Sequence, residues 1–234
     1  MSDLVLRVSS VRRATPGSRS VRLALDGAPF AYAPGQLAEL GPAGSAERVP
    51  FSLASAPEET AAAGSLEFLI KEDAAGRWGA HFPQLVRGMR LTVRGPSGSF
   101  VFPDRPRERR FLFIAGGTGI APLRSMIRHA ILAGIGGRLS LLYSARTPKD
   151  FAYLTELRGM ARRGELELSL SATREMPPRW RGLRGRIARA QVTPLVDDPA
   201  TLCFVCGPAA MVAEVPPMLE ALGVARERIR LEDW

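Results

Sequence analysis

The segment FLFIAGGTGIAPLRSMI, residues 111–127, constrains the fold of this chain more than any other stretch. A continuous apolar run of strand type leads through Gly116, Gly117, Thr118 and Gly119 into a helical pattern. Strands apolar on both faces belong to parallel sheets that helices cover on both sides. Glycines at such a strand-to-helix turn let the backbone approach a diphosphate closely, and the helix N-terminus that follows offers unpaired N–H groups and partial positive charge. The spacing is not GxGxxG, so the turn taken alone is weak evidence and the rest of the chain has to decide.

Before this segment the rhythm is different. LVLRVSSV, SVRLALD, QLAELG, VPFSLAS, SLEFLIK and MRLTVRG are short β-type runs separated by turn residues, the pattern of a small antiparallel barrel. A short helix is expected over His81 to Val86, and the AAAG run around residue 62 reads as a loop. After the polar, proline-bearing stretch from Pro103 to Arg110, the apolar segments FLFIAGG, LSLLYSA, LELSLSA and TLCFVCG alternate with helical stretches. That alternation implies βαβ units. The expected architecture is therefore two domains: an antiparallel β-barrel over 1–104 and an α/β Rossmann-like domain with a parallel sheet over 105–234.

No apolar run approaches bilayer length, and the start lacks the pattern of a secretory signal, so a cytoplasmic location away from membranes is expected. The only cysteines, Cys203 and Cys206, support neither a disulfide framework nor a metal site. The net charge of +9 is carried almost wholly by arginines scattered along the chain, with lysine only at Lys71 and Lys149. No groove-reading motif accompanies it, which argues against nucleic acid and for small acidic partners or phosphates.

Four segments in order resemble signatures of the ferredoxin–NADP(+) reductase superfamily: VPFSLAS at 49–55, GPSGSF at 95–100, GGTGIAP at 116–122 and CGPAAM at 206–211. The resemblance covers essentially the whole chain and implies that the barrel binds FAD and the second domain NADP(H). Ser52 is then the group near flavin N5, with Pro50 and Phe51 packing along the cofactor, although Phe51 lacks the hydroxyl of the usual Tyr. The family arginine stands where this chain has Val49. Arg48, one step further out, is the replacement candidate for the flavin pyrophosphate if a bulge re-aims it, and otherwise a solvated strand-end charge. Leu69, Lys71, Gly76, Gly79, Ala80 and Thr118 complete the implied flavin contacts, with His81 a packing or capping residue.

For the dinucleotide, the resemblance implies Gly116, Gly117, Thr118, Gly119 and Pro122 at the pyrophosphate. It places Cys206, Gly207, Pro208 and Met211 at the nicotinamide, with the Cys206 thiol a positioning contact and Cys203 in the core. Ser144, Arg146, Thr173, Arg174 and Arg186 stand where NADPH-preferring members hold the 2′-phosphate, a task suited to guanidinium forks. The end of the chain, Leu231-Glu232-Asp233-Trp234, is similar to the Glu-x-Tyr end of plant-type members, implying that Trp234 stacks on the isoalloxazine and Glu232 relays a proton.

The expected activity is electron transfer from NADPH through FAD to a separate ferredoxin or flavodoxin, by a monomer with no metal of its own. It would thus act as an oxidoreductase linking an iron–sulfur protein to NADP+. The alternatives are an NAD(P)H:flavin reductase using free flavin, and a non-catalytic flavin-binding electron-transfer or sensor subunit.

Overall fold

The computed structural model describes residues 3–78, 82 and 84–233. Two compact units emerge, Met1–Phe102 together with Arg124–Ala133, and Pro103–Leu123 together with Gly134–Trp234.

The first unit holds six antiparallel strands, β1 (Leu4–Thr15), β2 (Ser18–Ala24), β3 (Leu37–Pro42), β4 (Val49–Ser52), β5 (Ser65–Lys71) and β6 (Arg90–Ser97), in the order β4-β3-β6-β1-β2-β5. An antiparallel bridge between Leu53 and Phe68, continued by the Ala54 N–H to the Glu67 carbonyl at 2.8 Å, joins the two outer strands and closes the barrel. Closure leaves no edge for another chain to pair with. Alternation fills the interior with Val8, Val21, Leu23, Leu40, Phe68, Ile70, Leu91 and Val93, all fully buried or nearly so.

Between β4 and β5 lies α1 (Pro57–Ala63), where the alanine-rich run had been expected to be a loop. Pro57 stands at the first helical position, and Glu58 and Glu59 fill the first turn, where the helix dipole favours acids. The Glu59 carboxylate accepts the Ala56 N–H at 3.0 Å, and Gly64 ends the helix with φ 59°. Alanine is the best helix former, so the run is helical once both ends are capped. Conversely, the helix expected over His81–Val86 is absent from that segment's described residues, Phe82 and Gln84–Val86, which are extended or irregular.

The second unit carries one parallel sheet ordered β10-β9-β8-β7-β11-β12, built from β7 (Arg110–Gly116), β8 (Arg138–Ala145), β9 (Glu167–Ala172), β10 (Leu183–Arg184), β11 (Leu202–Gly207) and β12 (Ile229–Asp233). The central strands β7 and β11 are buried on both faces, with Phe113 and Phe204 directly opposite and stacked at 5.4 Å. Helices α2 (Ile120–Leu132), α3 (Leu154–Arg162), α4 (Arg189–Val192) and α5 (Ala209–Glu220) connect them. The expected βαβ alternation is present. Strand β12 was not anticipated: the C-terminal LED runs parallel to β11 rather than trailing as a tail.

Most of α2 belongs to the first unit, held there by a polar cluster. Arg124, nearly buried, donates from Nη1 to the Ala54 carbonyl at 2.6 Å and pairs with both Glu59 oxygens at 3.0 and 3.2 Å. Arg128 Nε adds a 2.9 Å bond to Glu59, and the Ser125 hydroxyl donates to the Ser55 carbonyl at 2.7 Å. Burial alone would raise the Glu59 carboxyl, but the charges of Arg124 and Arg128 and the Ala56 N–H outweigh it and hold the group below the ordinary carboxylate range. A depressed folded-state pKa contributes stability above the unfolded value and loses it as pH falls through the folded value. Arg124→Met is therefore expected to destabilise by about 2 kcal/mol near neutral pH, because it removes one of the two guanidiniums paired with a half-buried carboxylate and leaves the buried Ala54 carbonyl without its donor. The deficit should shrink when urea titrations are repeated below the ordinary carboxylate range; a loss that is small or independent of pH would show that the pair contributes little.

Candidate functional site

Taken in order of appearance along the chain, β7, β8, β9, β11 and β12 lie 3-2-1-4-5 across the sheet. The chain thus winds away in opposite directions on either side of the β7–β11 pair, and open α/β sheets bind ligands outside the carboxyl ends of strands at such a switch point. Two turns meet there: Gly116–Gly119 after β7, and Gly207–Pro208 after β11.

The glycines are required by this contact. A Cβ on Gly119 would lie 2.6 Å from the Cys206 carbonyl carbon and 2.9 Å from the Gly207 nitrogen, too close for any side chain. A Cβ on Gly116 would meet Pro208 Cδ at 2.8 Å and Met211 Sδ at 3.0 Å. Gly117 has φ 54°, a region that favours glycine. After the short turn Gly117–Gly119, α2 begins at Ile120 with Pro122 in its first turn. The structure therefore brings together Gly116, Gly117, Thr118, Gly119, Pro122, Cys206, Gly207, Pro208 and Met211 at the sheet's carboxyl edge.

Across β11, Cys206 lies opposite Glu232 of β12 in register, and its Sγ sits 3.7 Å from Glu232 Oε2. Burial, reinforced by the Glu232 charge, pushes the Cys206 thiol well above its ordinary range. It is held as an S–H donor and not as a thiolate nucleophile. Cys203 is packed in the core, its thiol pushed up to about 12 by burial.

The phosphate candidates occupy the carboxyl ends of the neighbouring strands. Ser144 pairs with Gly116 and with Ser171, the Thr173 N–H reaches the Ala145 carbonyl at 3.0 Å, and the Arg174 N–H reaches the Arg146 carbonyl at 2.8 Å. Arg186 follows β10, which pairs with β9 through Arg184 and Ala172. Arg146, Arg174 and Arg186 are exposed, and among the described residues none of the three is in an ion pair. By contrast, Arg110, Arg138 and Arg228 bind carboxylates. The three guanidiniums follow the carboxyl ends of β8, β9 and β10, on the same edge of the sheet as the glycine turn after β7.

In the first unit, β4 carries the flavin-motif residues. Pro50 is exposed, Phe51 packs against the barrel core, and Ser52 lies on the opposite face from Phe51. Leu69 is buried on β5, between the core residues Phe68 and Ile70, and the exposed Lys71 follows. Gly76, with φ 78°, closes a turn in which Asp73 Oδ1 accepts the N–H groups of Ala75 and Arg77, each at 2.9 Å. Trp78 follows, fully buried, its ring 5.9 Å from Phe51 and 4.6 Å from Phe82. Its indole N–H has no acceptor among the described residues. A stranded buried donor costs about 1–3 kcal/mol.

Arg48 is placed differently from the expectation. Strand β4 pairs with β3 without a bulge, and the Arg48 guanidinium folds back on the carbonyls of Ser45 and Glu47 and on the Asp3 carboxylate. Gly79, Ala80, His81 and Trp234 lie outside the described residues.

Two groups escaped the sequence reading. The Tyr143 hydroxyl, on β8, touches the glycine turn, and the Arg124–Glu59 pair joins positions 65 residues apart. A Tyr in a buried strand is a signal for the first, since its hydroxyl needs a partner; nothing local announces the second. Among the described residues, no helix is long and apolar enough to cross a membrane. No group of three or more His, Cys, Asp or Glu is placed to hold a metal ion among them.

Comparison with known proteins agrees with this layout. The oxidoreductase NAD-binding domain profile matches residues 113–216, from the middle of β7 into α5. The chain is 33% identical to a ferredoxin–NADP reductase B of Sorangium cellulosum, over 97% of this chain and 96% of that protein. It is 31% identical to the reductase component of a propane 2-monooxygenase of Rhodococcus jostii, over 98% of this chain but only 63% of that protein. Among solved structures, an Amycolatopsis cytochrome P450 reductase superposes with a TM-score of 0.86 at 25% identity, covering 99% of this chain and 69% of that one. The ferredoxin reductase of a carbazole 1,9a-dioxygenase gives 0.81 at 27%, with the same coverage. Near full-length likeness to a reductase, with the glycine turn and the CGP turn meeting at the switch point of a parallel sheet, makes this chain a member of the ferredoxin–NADP(+) reductase superfamily.

Proposed function

We propose that the protein is an FAD-dependent oxidoreductase that takes electrons from NADPH and delivers them to a separate, small acidic carrier such as a ferredoxin or flavodoxin. The observation that carries this reading is the packing of the β7 glycine turn on the β11 Cys-Gly-Pro turn, a built site for a dinucleotide at the sheet's carboxyl edge. A bound flavin supplies the redox chemistry, accepting an electron pair and releasing electrons singly; the protein's part is binding, orientation and electrostatics.

Each group has a task in this proposal. Gly116–Gly119 present backbone to the diphosphate, while Arg146, Arg174 and Arg186 hold the 2′-phosphate through paired donors. Cys206 is a positioning contact for the nicotinamide, kept protonated by burial and by Glu232, which accepts its S–H. Ser52 is the flavin-motif group assigned to the cofactor's N5, while Phe51 and Trp78 pack behind it in the barrel core. The +9 charge favours an acidic partner and speeds encounter in a salt-dependent manner. The protein acts as a monomer in the cytoplasm. Relatives described as ferredoxin reductases and as monooxygenase reductase components support a protein acceptor over free flavin.

Purification is the first test. Near-stoichiometric FAD should co-purify, and NADPH should reduce an acidic ferredoxin or flavodoxin faster than free flavin, with a rate that falls as salt rises. A colourless protein that turns over only with added flavin would instead identify an NAD(P)H:flavin reductase.

A further inference from the structure

The geometry points to Tyr143 as the positioning residue that aims the backbone of the β7 glycine turn at the dinucleotide diphosphate. Strand β8 lies beside β7 with Tyr143 opposite Ala115, one residue before the turn. The side chain is fully buried, so its hydroxyl has to find partners inside the protein. It accepts the Ala152 N–H at 3.1 Å and donates to the Gly117 carbonyl at 3.0 Å. The roles are fixed by chemistry: an amide N–H only donates and a carbonyl only accepts, so the one hydroxyl proton must lie toward Gly117.

That bond acts on the next peptide group. The Gly117 carbonyl and the Thr118 N–H share one planar trans amide and point in opposite directions. Anchoring the carbonyl on a hydroxyl buried beside the sheet therefore turns the Thr118 N–H the other way. Gly117, at φ 54°, has a wide choice of conformations, and the Tyr143 bond selects one of them. The ring packs edge-on against Phe151 at 5.0 Å, but the aim of the hydroxyl is set by its own two hydrogen bonds, to Gly117 and from Ala152. Burial, with a further push from the Asp150 charge, raises the Tyr143 hydroxyl above its ordinary range, so it remains a donor at any working pH.

The inference rests on the reading that the diphosphate binds at this turn, and calorimetric titration with NADP+ and NAD+ separates the two. Tyr143→Phe keeps the ring and removes both the donor to Gly117 and the acceptor of the Ala152 N–H. Both dissociation constants should rise by a common factor of roughly three- to tenfold, as for the loss of one hydrogen bond, because the diphosphate is common to the two ligands. The NADP+ to NAD+ preference and the FAD content should stay at wild-type values. Phe151→Leu, which loosens the packing around the same ring but keeps its hydroxyl, should lower Tm and leave both constants within twofold. Tyr143→Phe constants within twofold of wild type would overturn the inference, as would Phe151→Leu weakening both ligands equally. Wild-type protein that binds neither dinucleotide would overturn the reading of the site along with it.

Discussion

Substituting alanine for Gly119 is expected to cut NADPH-dependent turnover about 100-fold while the FAD content stays unchanged. The added Cβ would sit 2.6 Å from the Cys206 carbonyl carbon and 2.9 Å from the Gly207 nitrogen, so one of the two turns has to move. The obstacle is backbone on both sides, and no side-chain rotation relieves it. Displacements of about 1 Å at a reacting centre cost on the order of 100-fold in rate, since positioning is the protein's main contribution. Gly119 lies in the second compact unit and the flavin-motif strand β4 in the first, which is why flavin content should survive. Gly17→Ala is the matched control, since its Cβ would meet nothing within 4 Å; steady-state rates for it should stay within twofold of wild type. A Gly119→Ala enzyme with near-normal kcat/KM would show that the contact between the turns does not position the dinucleotide.

The second large effect concerns coenzyme choice. Arg146→Ala and Arg174→Ala should each lower kcat/KM for NADPH by roughly tenfold and leave NADH within twofold, because a charge-assisted contact to the 2′-phosphate exists only in the phosphorylated ligand. Their backbones are hydrogen-bonded to each other at the ends of β8 and β9, and their side chains are free of carboxylates. The double variant should come close to abolishing the preference, and the wild-type preference should weaken with added salt. A parallel fall with both coenzymes would mean that these arginines serve the shared diphosphate or the fold itself.

Much of this was legible in the chain because the signals are local. The short β-type runs of β1 and β2, the doubly apolar runs of β7 and β11, and the glycines between β7 and α2 are each written within a dozen residues. Helix α1 was hidden because its caps, Glu59 to Ala56 and the left-handed Gly64, lie outside the alanine run that draws attention. Strand β12 was hidden because IRLED, charged at Arg230, Glu232 and Asp233, looks like a solvated tail until β11 is present to pair with it. Arg48 shows the limit of motif reading. Residue type and spacing offered it to a phosphate, whereas nearby carbonyls and Asp3, far away in sequence, engage it in the fold. Tyr143 and Arg124 owe their importance to partners on other strands and helices, and a single sequence does not announce such partners.

Those cases share a cause. Secondary structure and glycine turns follow from short-range sterics, while the aim of a long polar side chain depends on which acceptors the tertiary fold brings near. The same distinction ranks the functional assignments. The Cys206–Glu232 pair follows from strand register, so it is as firm as the sheet itself.

The account stands most directly on anaerobic rapid mixing of the purified, flavin-containing protein with NADPH, followed at the flavin absorbance band. It predicts prompt, complete bleaching with one equivalent of NADPH, and recovery of the band when an oxidised ferredoxin or flavodoxin is added. A flavin band that stays unchanged under excess NADPH would contradict it, and would leave a flavin-binding protein that does not exchange electrons with nicotinamide.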